Sequence, residues 1–236
     1  MIPLRDENPS SSVPVVTRAL IVLNVAAFLY ELMMGPQLRE FVFAFGLVPL
    51  RLTLALHEQR EALLYPVLTI FTSMFLHGGW LHLIGNMWYL WIFGDNIEDR
   101  LGSVGFLFFY LVSGVVAALL HVALNADSRL PTVGASGAIA GVLGAYAAAF
   151  PRARVVTLVP LFPFFQILAL PAMLVLGLWF VFQFFSGFLA LGFAPRGADS
   201  GGVAVWAHIG GFAFGWIAMR VMGGHRRVSH AWVEGE

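Results

Sequence analysis

Ser136 stands in the stretch GASGAIAGVLGAY, residues 134–146, at the head of an apolar run where lipid would offer a hydroxyl no partner. A serine becomes a useful nucleophile when a base can take its proton, and imidazole is the usual base. Four histidines fall in or beside the apolar stretches: His77, His82, His121 and His208. His208 lies in AHIGGFAFG, where Gly211 and Gly215 recur at a spacing of four, as Gly137 and Gly141 do after Ser136. Small residues at that spacing let helix backbones approach closely. Pairing the two glycine faces would bring imidazole to hydroxyl. His82 and Asn86, in HGGWLHLIGN, are four apart and share one helix face, where they could donate to a developing oxyanion. Judged alone, a serine at a glycine-rich helix start reads as packing or capping. An ionisable group inside a bilayer is costly and points to function, and the two together favour chemistry.

The elements that must position these residues are membrane helices. The chain of 236 residues is 59% hydrophobic and 11% charged, with a mean hydropathy of +0.84, which is too apolar for an ordinary soluble domain. Crossing a hydrocarbon core of about 30 Å takes about 20 helical residues. Six runs qualify as candidates: 17–34, 79–97, 104–124, 136–150, 166–193 and 203–222. The acidic residues Asp6 and Glu7 ahead of the first run, and the ELMMG that ends it, argue against a cleavable signal. Residues 35–65 mix apolar side chains with Arg39, Arg51, Glu58, Arg60 and Glu61 and read as an interfacial, amphipathic insertion. Arg152 and Arg154 after the fourth run, with Arg226 and Arg227 after the sixth, place both termini in the cytoplasm by the positive-inside rule.

The fourth run is short. Pro151 and the arginines fix one end, and its 15 or so residues reach only about 22 Å, so Ser136 sits below the opposite surface. The stretch before it, NADSRLPTVGA, must then enter the membrane as irregular backbone, which is tolerated only around protein or a water-filled cavity. The first amides of a helix starting there lack intrahelical acceptors and carry the positive end of its dipole, a place to hold a negative oxygen.

Other chemistries are thin. The chain has no cysteine, which removes disulfides, thiolates and Cys-ligated metals. HEQRE at His57 lacks the second histidine of a zincin helix, so no metal site and no cofactor are expected. Net charge is zero with no dense basic block, which leaves no footprint for nucleic acid. His77 reads as a membrane-edge residue in a structural hydrogen bond, and His121 as interfacial without a partner motif.

HGGWLHLIGN, GASG and AHIGGFAFG, in that order over six apolar runs and with GDNIEDRLG at 94–102, resemble the rhomboid intramembrane serine proteases. The resemblance implies an all-α polytopic bundle of six transmembrane helices with a short central fourth helix and an interfacial first loop. It further implies Ser136 as nucleophile, His208 as general base, an oxyanion site of His82, Asn86 and the Ser136 backbone amide, and Gly134 as the glycine before the serine. Gly137, Gly211 and Gly215 would be structural beside the site. Where many members carry an aromatic residue four positions after the serine, this chain has Ala140, so another group must orient His208; neighbouring Trp206 is the candidate. The family's Trp-Arg pair in the first loop has no evident counterpart. The implied activity is a Ser-His dyad endopeptidase acting on transmembrane protein substrates in the lipid bilayer, with entry past the fifth run. The expected organisation is a protease domain over 17–222 between cytoplasmic tails 1–16 and 223–236, in a bacterial cell (inner) membrane. A catalytically silent relative that binds membrane proteins, a small transporter and a His-ligated haem protein are the alternatives.

Overall fold

The computed structural model describes residues 1–58, 60–161, 164–193 and 205–222. Among them the chain is mainly helical: α1 (Val15–Met33), α2 (Leu38–Phe45), α3 (Pro49–His57), α4 (Leu64–Thr72), α5 (Trp80–Leu101), α6 (Ser103–Leu124), α7 (Ser136–Ala149), α8 (Ala172–Phe193) and α9 (Val205–Met222). Helix α7 is the axis of the bundle. Every residue from Gly137 to Ala147 is buried, and its most extensive partner is α9, with α6, α5 and α8 also packed on it. An all-round apolar helix is what such a central position requires.

Among the described residues, only α1 and α6 are long and apolar enough to cross a bilayer unaided; residues 60–75 and α5, bent by 82° at their junction, make up to a third such span. The six-span count expected from the sequence is therefore not carried by helix length and composition among the described residues. α5 ends in the charged residues Asp95, Glu98, Asp99 and Arg100, and α7 has only 14 residues.

The all-α expectation also needs correcting. β1 (Ile2–Asp6), β2 (Arg154–Leu161) and β3 (Phe164–Pro171) form an antiparallel sheet in the order β1-β2-β3. β2 pairs β3 from Arg154↔Pro171 to Leu161↔Phe164, and β1 pairs β2 with an irregularity between Pro3 and Arg5. The run beginning at residue 166 is thus strand up to Pro171 and helix only from Ala172. RVVTLVPL is rich in β-branched residues, and Pro171, with no N–H and a fixed φ, suits the junction ahead of a helix. Residues 1–16 are not simply a tail, since they supply β1 and the start of α1. The last tail, 223–236, lies outside the described residues.

Two buried acids join the helices. Glu98 near the end of α5 accepts from the backbone N–H of Val16 (2.9 Å) and Thr17 (2.7 Å), from the Thr17 hydroxyl (2.8 Å) and from that of Ser103 (2.7 Å). It thereby satisfies first-turn amides of α1 and holds the start of α6 beside them. Glu31 in α1 accepts from the His77 backbone N–H at 3.0 Å, which fixes the turn leading into α5.

The first loop folds as a 3-10 turn at Gly35–Gln37, α2, α3 and a second 3-10 turn at Arg60–Ala62. Leu47 and Leu52 bury against Ile70, Met74 and Val122. From there the loop reaches the segment ahead of α7. Leu47 and Thr132 exchange backbone bonds of 3.0 and 2.7 Å, and Leu50 N–H donates to Ser128 at 3.0 Å. Within this irregular segment the N–H groups of Ser128, Thr132 and Gly134 each donate to a protein carbonyl.

Candidate active site

Ser136 is the first residue of α7, and its placement begins with Gly134. This glycine has φ +129°, a conformation that L side chains rarely adopt. Its N–H donates to the Ser73 carbonyl at 2.8 Å. A Cβ there would stand 2.8 Å from both Cε1 and Nε2 of His82 and 3.6 Å from Ser136 Oγ. The missing side chain therefore leaves a space that Ser136 and His82 both face. The α7 ladder starts with Ile139 N–H to the Ala135 carbonyl at 3.0 Å, so the amides of Ser136, Gly137 and Ala138 precede it.

His208, buried on α9, brings Nε2 to 2.6 Å from Ser136 Oγ. With the ring proton on Nδ1, the hydroxyl donates to Nε2, the arrangement a general base needs. Backbone contact sets the approach. A Cβ on Gly211 would meet the Gly137 carbonyl oxygen at 2.0 Å, and one on Gly215 the Gly141 oxygen at 1.9 Å. Gly144 is as close to Phe212, at 2.0 Å from its carbonyl oxygen. No residue with a side chain fits these positions at this helix separation.

Ala140 is fully buried, and its Cβ would lie 3.2 Å from one on Gly211. The ring beside the imidazole comes from α8 instead: Trp179, with centroids 5.8 Å apart and planes at 37°. The structure thus puts Trp179 where the sequence suggested Trp206, because proximity in the chain says nothing about which helix faces a ring.

His82 accepts the Gly78 N–H on Nδ1 at 3.3 Å, which in the neutral ring leaves the proton on Nε2, the atom beside Gly134. Asn86 is buried and its Nδ2 lies 3.0 Å from His77 Nε2. His77 Nδ1 lies 3.3 Å from the Phe75 carbonyl; a carbonyl only accepts, so Nδ1 donates and Nε2 accepts from Asn86. The His77 and His82 rings meet edge to face at 5.2 Å. His77 is thus buried inside the protein, at 3% exposure, and makes structural hydrogen bonds, as expected of it.

His121 has partners as well. Its Nε2 is 3.0 Å from Thr132 Oγ1, and Asn125 Nδ2 is 3.4 Å from its Nδ1. Together with Ser73, Thr132 and Ser136 it lines a cavity of about 30 Å³ beside the serine, large enough for a water molecule. The sequence reading misses this chain and the Glu31 link. The available signal for Glu31 is its place as the lone carboxylate in the first apolar run. Among the described residues no group of three or more His, Cys, Asp or Glu is arranged to hold a metal.

A family model described as the Rhomboid domain matches residues 66–225, which include Ser136, His77, His82, His121, His208 and both glycine faces. The chain belongs to the rhomboid family. Among similar proteins, the Presenilin-associated rhomboid-like protein A, mitochondrial, of Danio rerio is 37% identical over 131 residues, which cover 53% of this chain and 34% of that protein. Rhomboid protein 1, mitochondrial, of Saccharomyces cerevisiae is 35% identical over 96 residues, 39% of this chain and 28% of that one. RHOMBOID-like protein 5 of Arabidopsis thaliana is 36% identical over 76 residues, 32% of this chain and 25% of that protein. The matches thus span about a third or less of these rhomboid relatives. The expectation of a bacterial cell membrane does not stand, since several of the matched relatives are mitochondrial by name.

Proposed function

We propose that this rhomboid protein is an intramembrane serine endopeptidase, cutting peptide bonds within or next to transmembrane segments of other proteins. The observation that carries the reading is the 2.6 Å approach of His208 Nε2 to Ser136 Oγ at the start of a buried helix. In the proposed reaction His208 takes the Ser136 proton as Oγ attacks the scissile carbonyl carbon. The oxyanion is held by the Ser136 amide and by His82 Nε2–H, with the second hydrogen of Asn86 Nδ2 available beside them. His208 then protonates the departing amine, and the acyl-enzyme is hydrolysed by a water from which His208 withdraws a proton. The cavity beside Ser136, to which Ser73, His121 and Thr132 also contribute, gives such a water a place to wait. A substrate helix must unwind locally to present its bond, so helix-weakening residues near the cut are favoured. In this reading residues 17–222 form the protease domain, and 1–16 and 223–236 flank it.

The test uses the full chain reconstituted with a single-span membrane protein, and a fluorophosphonate in parallel. The wild type cuts the substrate and is labelled at Ser136. Ser136→Ala and His208→Ala each abolish cleavage with the fold intact, and the double variant is no worse than either, because the pair acts as a unit. Turnover by Ser136→Ala overturns the mechanism.

A further inference from the structure

Resting on that reading, we infer that Trp179 of α8 is a positioning residue for His208, holding the general base from a different helix than the one that carries the nucleophile. An imidazole on a helix turns about two side-chain bonds, so a ring packed against its face narrows the orientations open to it. A ring at position 140 could stack on it, but Ala140 is fully buried against the Gly211 face. The glycine contacts at 137, 141, 211 and 215 leave no gap between α7 and α9 for a larger group.

Trp179 supplies such a plane. Its ring lies 5.8 Å from that of His208 at 37°, within the range where aromatic pairs attract. The indole is itself held from two more sides: Phe212, one turn beyond His208 on α9, at 6.2 Å, and Tyr89 of α5 at 6.5 Å. Three helices thus fix the ring that fixes the base. This makes the imidazole's alignment depend on α8 being seated. α8 starts directly after β3 and turns Met173, Leu174, Val181 and Phe182 outward. A shift of α8 away from α9 would remove the indole from His208 while leaving the Ser136 end of α7 unmoved.

The test is fluorophosphonate labelling of the detergent-solubilised full chain, separating the maximal labelling rate from the half-saturating probe concentration. Trp179→Leu lowers the maximal rate by about 10-fold or more with the half-saturating concentration unchanged, since misaligned reacting groups slow the chemical step and not binding. Trp179→Phe keeps a ring and restores the rate to within about threefold of the wild type. Trp206→Leu behaves as the wild type. Isotope-labelled histidine supplies a readout independent of activity: the wild-type His208 ring proton gives a nuclear Overhauser effect to the indole and its resonance moves in Trp179→Leu but not in Trp206→Leu. Should Trp179→Leu unfold, the wild-type Overhauser effect and the Trp179→Phe rate still decide. A labelled wild type without that effect, equal labelling by Trp179→Leu, or equal losses in Trp179→Leu and Trp179→Phe overturns the positioning role alone. A folded wild type that the fluorophosphonate never labels sinks the protease reading and this inference with it.

Discussion

The two ends of α7 are held in opposite ways. At Ser136 the surroundings are small or absent: a glycine at φ +129°, glycine faces on two helices, and a cavity of about 30 Å³. At Tyr146 the helix is packed among rings and hydrogen bonds. The Tyr146 ring meets Phe93 edge to face at 4.9 Å and Phe150 at 5.1 Å, and its hydroxyl donates to Asp6 of β1 at 2.7 Å. Asn96 donates to the same Asp6 oxygen at 2.9 Å. A helix anchored firmly at one end can leave its other end unfilled, and unfilled space beside polar groups is where a reacting carbonyl can fit.

The largest effect that would break this contrast comes from filling the open end. Gly134→Ala forces a strained backbone and drives a methyl against His82, so the rate of fluorophosphonate labelling at Ser136 should fall by roughly 10² to 10³, the usual loss of an oxyanion donor. Thermal unfolding of the same variant measures what part is stability. A labelling rate near wild type would remove His82 from the oxyanion site.

Next comes the middle, where the two ends share one seam. Gly215→Ala places a Cβ 1.9 Å from the Gly141 oxygen, and overpacking of this kind costs about 1–3 kcal/mol or more. The expected result is a lower unfolding temperature in detergent together with slower labelling, since the α7 and α9 backbones must separate. A variant as stable as the wild type would mean that the seam is looser than its geometry.

The smallest effect belongs to the anchored end. Burial, with Asp95 nearby, outweighs the Tyr146 hydrogen bond and pushes the Asp6 carboxyl up to about 6. A raised acid favours the fold in its protonated form, so its contribution is complete below its unfolded value near 4 and is lost as pH rises through 6. Asp6 is only half-buried, and solvent screening reduces this to about 1 kcal/mol or less. The difference in stability between wild type and Asp6→Asn, followed from pH 4 to pH 7 by thermal unfolding, should show the slope, with labelling at fixed pH unchanged. Tyr146→Phe removes a bond that favours the ionised carboxyl, and the window should then move to higher pH. No pH-dependent difference between wild type and Asp6→Asn would separate Asp6 from the anchor.

Much of this was legible because it is local. Helix against loop follows from apolar runs and their breakers, and α1, α5, α6, α7, α8 and α9 lie within or close to the runs that the hydropathy marks. Ser136 and His208 stood out because each is a polar group beside glycines at a spacing of four. The sheet did not stand out. β1 and β2 are separated by nearly the whole bundle in sequence, and an apolar strand such as FFQILALP continues into an apolar helix with no change of composition. Alternation fades where both faces are apolar.

The sequence by itself determined the family, the central glycine-rich helix and the serine and histidine proposed as nucleophile and base, because these depend on residue type and on spacing within one helix. Only the tertiary structure decided which groups surround them. Asn86 reaches His77, Glu31 reaches the turn before α5, and Trp179 lies against His208. The physical reason is that the contacts of a side chain across helices are set by the rotation and relative height of each helix. Both come from packing the whole bundle at once, and no single segment carries them.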